Sequence, residues 1–153
     1  MNWEKYFCNL IAVIASKSED PTTKHGCIIV GPGHEIRSTG YNGLPRKVKN
    51  IASRFKRPEK YLWIEHSERN AIYNSARNGV NIEGCTLYVT GWPCTDCARG
   101  IIQSGIKEVV VHNLNKESEK ERWAENIKRS KRMFKEAGVL FRETKEVPCQ
   151  KTT

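Results

Sequence analysis

The sequence predicts an α/β fold: a three-layer α/β/α sandwich with a mixed five-stranded central sheet. Two observations predict it. Short apolar runs rich in Val, Ile and Tyr alternate with helical stretches through the second half, which places helices on the faces of one sheet. Near the start, two strand-like runs flank Gly31-Pro32-Gly33, so a hairpin gives the sheet an antiparallel part. The 153 residues show no repeat, low-complexity block or linker, so a single domain over 1–153 is expected.

Each element has its own signal. Residues 3–16 carry Trp3, Tyr6, Phe7, Leu10, Ile11, Val13 and Ile14 as a helical stripe. A polar stretch with Pro21 follows, then strands at 27–30 and 35–41. Residues 43–62 contain Pro45 and Pro58 and read as a long loop, a feature often tied to function. A helix is expected over 65–78, with Gly79 as its cap. The remaining expectations are a strand at 85–90, a helix at 94–104 closed by Gly105, a strand at 108–112, a charged helix at 116–137 and a strand at 139–142.

Composition narrows the function classes. Charged residues make up 28% and hydrophobic ones 38%, a globular balance rather than a disordered one. No apolar run approaches the roughly 18 residues that span a bilayer, and Glu4 and Lys5 interrupt any secretory pattern, so a cytoplasmic setting is expected. That setting disfavours disulfides among the six cysteines. Cys8, Cys27 and Cys85 read as small hydrophobes, and Cys149 lies in a polar tail. The net charge of +9 points to an anionic partner. Much of the excess lies in 46–60, where the one acid is Glu59.

The chemistry resides in two fragments, His66-Ser67-Glu68 and Pro93-Cys94-Thr95-Asp96-Cys97, each opening a helix. Cysteines three apart share a helix face, and the helix N-terminus favours their thiolates. With His66 from a second helix start, three ligands leave one tetrahedral position of a zinc ion open, the arrangement of a catalytic site. Zinc lowers the pKa of water from about 16 toward about 7, and Glu68, two residues from His66, is placed to move the protons. Alone, a Cys-x-x-Cys pair suits a redox dithiol, and His-x-Glu suits a helix surface. A purely structural zinc site would take a fourth ligand from His25, His34, His112 or Cys27. Combined, the fragments match the zinc-deaminase signature H-x-E then P-C-x-x-C.

The chain also resembles the deoxycytidylate (dCMP) deaminases over roughly residues 5 to 142. The resemblance is carried by Ser18-Glu-Asp-Pro-Thr-Thr-Lys-His-Gly-Cys27, Gly40-Tyr41-Asn42-Gly43, His66-Ser-Glu-Arg-Asn-Ala-Ile72, Gly84-Cys-Thr-Leu-Tyr-Val-Thr90, Cys94-Thr-Asp-Cys-Ala98, Ile101-Ile-Gln-Ser-Gly-Ile106 and Ala137-Gly-Val139. It implies zinc-dependent hydrolysis of dCMP to dUMP with release of ammonia, feeding thymidylate synthesis. Glu68 would protonate N3 and then the leaving amine. Lys24, Asn42, Ser67 and Trp123 are the expected substrate contacts, and Gly40, Tyr41, Asn42 and Gly43 a regulatory nucleotide site. The resemblance further implies dCTP and dTTP effectors, Mg2+ with the regulatory nucleotide, and a homo-oligomer with a hexamer favoured.

Three departures stand out. Ser67 replaces a usual Ala, and His25 replaces a usual Val and is expected to perturb the first strand more than the metal. The segment after the fourth strand, 112–116, lacks the aromatic that covers the substrate in many relatives. Trp123 is the candidate for that cover; packing of the last helix is its other reading. The alternative function is deamination of another cytosine substrate: dCTP, 5-modified dCMP, or a single-stranded nucleic acid tracked by 46–60 with Phe55, Tyr61 and Trp63. Gly40-Tyr41-Asn42-Gly43 favours the free nucleotide and disfavours nucleic acid. A non-catalytic zinc module is also possible, but it has no use for Glu68.

Overall fold

The structure is a computed structural model and describes residues 1–113 and 117–146. Cys149 and residues 114–116, part of the stretch after the fourth strand, lie outside the described residues.

Asn2 caps the first helix, α1 (Trp3–Ser16), by accepting from the Lys5 amide. Strands β1 (Gly26–Val30) and β2 (Ile36–Tyr41) form the expected antiparallel hairpin. The long loop is partly helical: a 3-10 turn at Ala52–Phe55 precedes a single turn, α2 (Lys60–Trp63). Four residues are too few to show helical periodicity, which hid both turns in the sequence. There follow α3 (Ser67–Asn78), β3 (Thr86–Val89), α4 (Thr95–Gln103), β4 (Glu108–Val111), α5 (Glu117–Ala137) and β5 (Leu140–Glu143). Gly79 ends α3 in the left-handed region with φ of 66°, a conformation that suits glycine.

The sheet order is β2-β1-β3-β4-β5. β1 pairs antiparallel with both β2 and β3, whereas β3–β4 and β4–β5 are parallel. The mixed five-stranded sheet is therefore as the sequence predicts. Strand alternation splits the core in two. Cys27, Ile29, Leu87, Val89, Val109 and Val111 face α3, α4 and α5, with Ala71, Ile101 and Phe134 against them. Ile28, Val30, Tyr88 and Val110 face the other way, onto Phe7 and Ile11 of α1.

This layering sets the position of the site. The starts of α3 and α4 come together at one end of the sheet because α3 lies against β2 and β1, and α4 follows β3. Gly40 permits the first contact: a Cβ there would sit 2.2 Å from the Ser67 carbonyl oxygen and 2.4 Å from the Ala71 nitrogen. Gly43 exchanges two backbone hydrogen bonds with Glu65, at 3.0 and 2.8 Å, fixing the residue before His66. Tyr41 accepts through its carbonyl from Asn70 at 2.8 Å. The Gly40–Gly43 motif thus forms one side of the scaffold for α3.

Candidate active site

His66 precedes the first turn of α3 in extended conformation (φ −77°, ψ 154°), and Cys94 does the same for α4 (φ −73°, ψ 172°). The Cys94 side chain is turned back over its helix N-terminus, where it accepts from the Cys97 amide. Cys97, one turn into α4, completes the set. His66 Nδ1 lies 3.4 Å from Cys94 Sγ and 3.6 Å from Cys97 Sγ. All three donors fall within 4.8 Å of one another, and this is the group of that kind found among the described residues. His25, His34, His112 and Cys27 do not join it, which removes the fourth ligand that a closed structural site would need.

One nitrogen and two sulfurs at that spacing suit zinc. The electrostatics of the sulfurs suit it as well. Cys94 accepts from the Cys97 amide at 3.5 Å as the cap of α4. Its pKa falls to about 4, first because Cys97 hydrogen-bonds to it and then because His66 does, against the opposing effect of burial. Burial pushes the Cys97 thiol up. Burial also pulls His66 down, but hydrogen bonding to Cys94 and the nearby Glu68 charge outweigh it, and the net shift is upward. Two cysteines sharing a proton beside a histidine form a pair that a divalent cation would replace that proton in.

Glu68 is 5% exposed and lines the same cavity as His66 and Cys94. Its Oε2 accepts from the Ser67 hydroxyl at 3.0 Å. Arg69 pairs with Glu65 and lies 3.4 Å from Asp96, so one guanidinium ties the start of α3 to the start of α4. Asn126 of α5 accepts from the Thr95 amide at 2.7 Å, satisfying a free donor at the N-terminus of α4. Neither supporting contact is legible in the sequence, because both cross between helices far apart in the chain.

The other expected contacts fare differently. Asn42 reaches the cavity wall, but its amide is engaged by the protein: Oδ1 accepts from the His25 amide at 2.7 Å, and Nδ2 donates to the Thr23 carbonyl at 2.8 Å. Lys24 is exposed, donates to the Ser18 carbonyl and stands outside the cavity lining. Trp123 lines the cavity with its ring edge-on to His66 at 6.0 Å and to Tyr61 at 6.0 Å. It therefore stands beside His66 at the pocket and is not part of the core cluster between the helices and the sheet. His25, expected to act on the first strand, also lines the cavity, with Nδ1 3.0 Å from the Thr90 hydroxyl.

Sequence reasoning missed the cations at the pocket mouth. Arg57 and Arg122 line it from the loop before α2 and from α5. Arg57 donates to the Tyr61 phenol oxygen at 3.0 Å. Burial raises the Tyr61 pKa, yet hydrogen bonds from Arg122 and Arg57 outweigh that and lower it. Lys60 lines the pocket too, but it is buried and its ammonium is 2.7 Å from the fully buried Asp20 carboxylate. The charge run 46–60 was the available signal; its individual roles were not. Arg54 stacks on Trp63 at 3.9 Å and Arg46 binds Asn74, so part of the run is held locally.

Comparison with known proteins agrees with this geometry. The cytidine and deoxycytidylate deaminase zinc-binding region matches residues 1–113. A deoxycytidylate deaminase from Mus musculus is 35% identical, over 94% of this chain and 80% of its own length. An uncharacterised deaminase from Aliivibrio fischeri is 39% identical over 90% of both chains. Among solved structures, the dCMP deaminase of cyanophage S-TIM5, crystallised with dCMP and dUMP, superimposes with a TM-score of 0.73. At 22% identity, over 92% of this chain and 96% of that one, it supports the shared fold. With a family match over residues 1–113 and with a donor set suited to zinc converging at two helix starts, this chain belongs to the cytidine and deoxycytidylate deaminases.

Proposed function

We propose that this protein is a zinc hydrolase that converts dCMP and water to dUMP and ammonia, supplying the precursor of thymidylate. The observation that carries the reading is the convergence of the His66, Cys94 and Cys97 donors in a pocket that Glu68 also lines. The named relatives among the deoxycytidylate deaminases support dCMP as the substrate.

Zinc held by those three side chains would act as a Lewis acid and make hydroxide available near neutral pH. Glu68 takes one proton from water and passes it to N3 as the C4–O bond forms, then takes the proton of the new C4 hydroxyl and delivers it to the amine as the C4–N bond breaks and the C4 carbonyl forms. Ser67 donates to the carboxylate and fixes its orientation. Trp123, beside His66, covers the base and excludes bulk water. Arg57 and Arg122 at the mouth receive the 5′-phosphate, and Tyr61 holds both guanidiniums in place. Lys60 is neutralised by Asp20, so the arginines carry the phosphate charge. Asn42 shapes the sugar wall through its backbone contacts.

The proposal extends to regulation. Tyr41 is 40% exposed beside Gly40, Asn42 and Gly43, and Gly43 is bonded to Glu65. A dCTP or dTTP bound there with Mg2+ would act on His66 through that bridge. The assembly that goes with this reading is a homo-oligomer, with a hexamer as the favoured form. No helix among the described residues is long and apolar enough to cross a membrane, and a cytoplasmic setting goes with a nucleotide-pool enzyme.

The test is a single-turnover panel of dCMP, deoxycytidine, dCTP, 5-methyl-dCMP and a cytosine-containing oligonucleotide with zinc-loaded protein. The expected result is fastest ammonia release from dCMP. Activity confined to the oligonucleotide, or to dCTP, would overturn the assignment.

A further inference from the structure

His25 lines the pocket beside Asn42 and has no part in the reaction described above. Its amide donates to Asn42 Oδ1 at 2.7 Å, and its side chain lines the cavity. Nδ1 lies 3.0 Å from the Thr90 hydroxyl, which leaves Nε2 as the ring nitrogen available to a ligand.

The Thr90 hydroxyl fixes which nitrogen carries the proton. It accepts from the Gly26 amide at 3.1 Å, and the residue is 1% exposed. A buried hydroxyl must also place its own proton on an acceptor. Among the described hydrogen bonds, that acceptor is His25 Nδ1. A neutral imidazole that accepts at Nδ1 is protonated at Nε2, so the pocket is offered an N–H donor. Burial lowers the pKa of His25, consistent with the neutral ring.

The substrate group it meets follows from the tasks assigned to the other lining residues. The base must reach Glu68 and the metal donors, and the phosphate must reach Arg57 and Arg122. That leaves Thr23, His25 and Asn42, with Glu119 joined to Thr23 at 3.2 Å, as the wall for the sugar. A deoxyribose in a 5′-monophosphate has one free hydroxyl, at the 3′ position. We propose that His25 is a specificity-determining residue that donates its Nε2 hydrogen to the 3′-hydroxyl oxygen of the nucleotide sugar.

The inference rests on dCMP being the substrate, and it can be tested apart from turnover. Binding of dUMP and of 2′,3′-dideoxyuridine 5′-monophosphate is measured by calorimetry on zinc-loaded wild type, His25→Val and His25→Gln. Wild type is expected to prefer dUMP by about tenfold, the range of one buried hydrogen bond. His25→Val should bind the two ligands alike. His25→Gln, whose amide nitrogen reaches a similar point, should restore part of the preference. Equal binding by wild type, or an undiminished preference in His25→Val, overturns the inference. In the same preparations, dCMP turnover by wild type separates the two levels. Turnover with no loss of preference in the variant removes only the role of His25, whereas absence of turnover removes the substrate assignment together with it.

Discussion

Glu68 and Ser67 are adjacent residues with separable tasks. Replacing the carboxylate by an amide keeps its volume and removes its ability to carry a proton. Glu68→Gln should therefore retain zinc and fold while kcat on dCMP falls by about 10³-fold. Zinc content by metal analysis, beside the rate, distinguishes this from loss of the site. Ser67→Ala removes one hydrogen bond to that carboxylate and adds no bulk. It should lower kcat by about threefold to tenfold with KM little changed, as expected for a bond worth about 1 kcal/mol. Arg122→Ala tests the other end of the pocket. KM for dCMP should rise by about tenfold or more while deoxycytidine, which lacks the phosphate, is unaffected. An equal loss on both substrates would assign Arg122 to structure instead.

At the scale of elements, the approach of β2 to α3 decides whether the metal ligands meet. Gly40 lies against the backbone of the first turn of α3, and a methyl group there cannot be accommodated by a side chain moving aside. Gly40→Ala should cost about 1–3 kcal/mol, the usual penalty of overpacking, read as a lower melting temperature. Because the displaced segment begins beside His66, zinc affinity should fall as well. Gly79→Ala is a useful contrast. Its Cβ would meet nothing within 4 Å, so the cost is the left-handed backbone alone, about 1 kcal/mol, with the metal site intact. Cross-helix ties such as Arg69 to Asp96 and Asn126 to Thr95 then hold the two helix starts at a fixed separation.

Across the whole molecule, buried charge ties the loop before β1 to α2 at the pocket. Asp20 is fully buried against Lys60. Burial alone would raise its pKa, but hydrogen bonds from Lys60 and Thr22 outweigh this and lower it below the usual carboxylate range. A carboxyl with a depressed folded pKa adds stability above its unfolded value and loses it as pH falls through the folded one. Glu4, bonded to Arg142 of β5, behaves in the same direction. Stability should thus hold from neutrality to about pH 4 and fall steeply below it, as read by urea unfolding at several pH values. Asp20→Asn should destabilise by about 3–5 kcal/mol at pH 7, because it leaves Lys60 buried without a counter-charge, and should flatten part of that acid limb. The sequence by itself determined the alternation of elements, the mixed sheet, and the pairing of His66, Cys94 and Cys97 as candidate metal donors with Glu68 beside them. All of these depend on short-range signals: periodicity of apolar residues, glycine and proline stops, and the spacing of donors within a single helix start. Only the tertiary structure decided that Lys24 stands outside the pocket, that the Asn42 amide is occupied by backbone, that Trp123 stands beside His66, and that His25, Arg57 and Arg122 line the wall. Those positions depend on which elements the sheet order brings side by side, and contacts between separate elements leave no periodic trace in the chain.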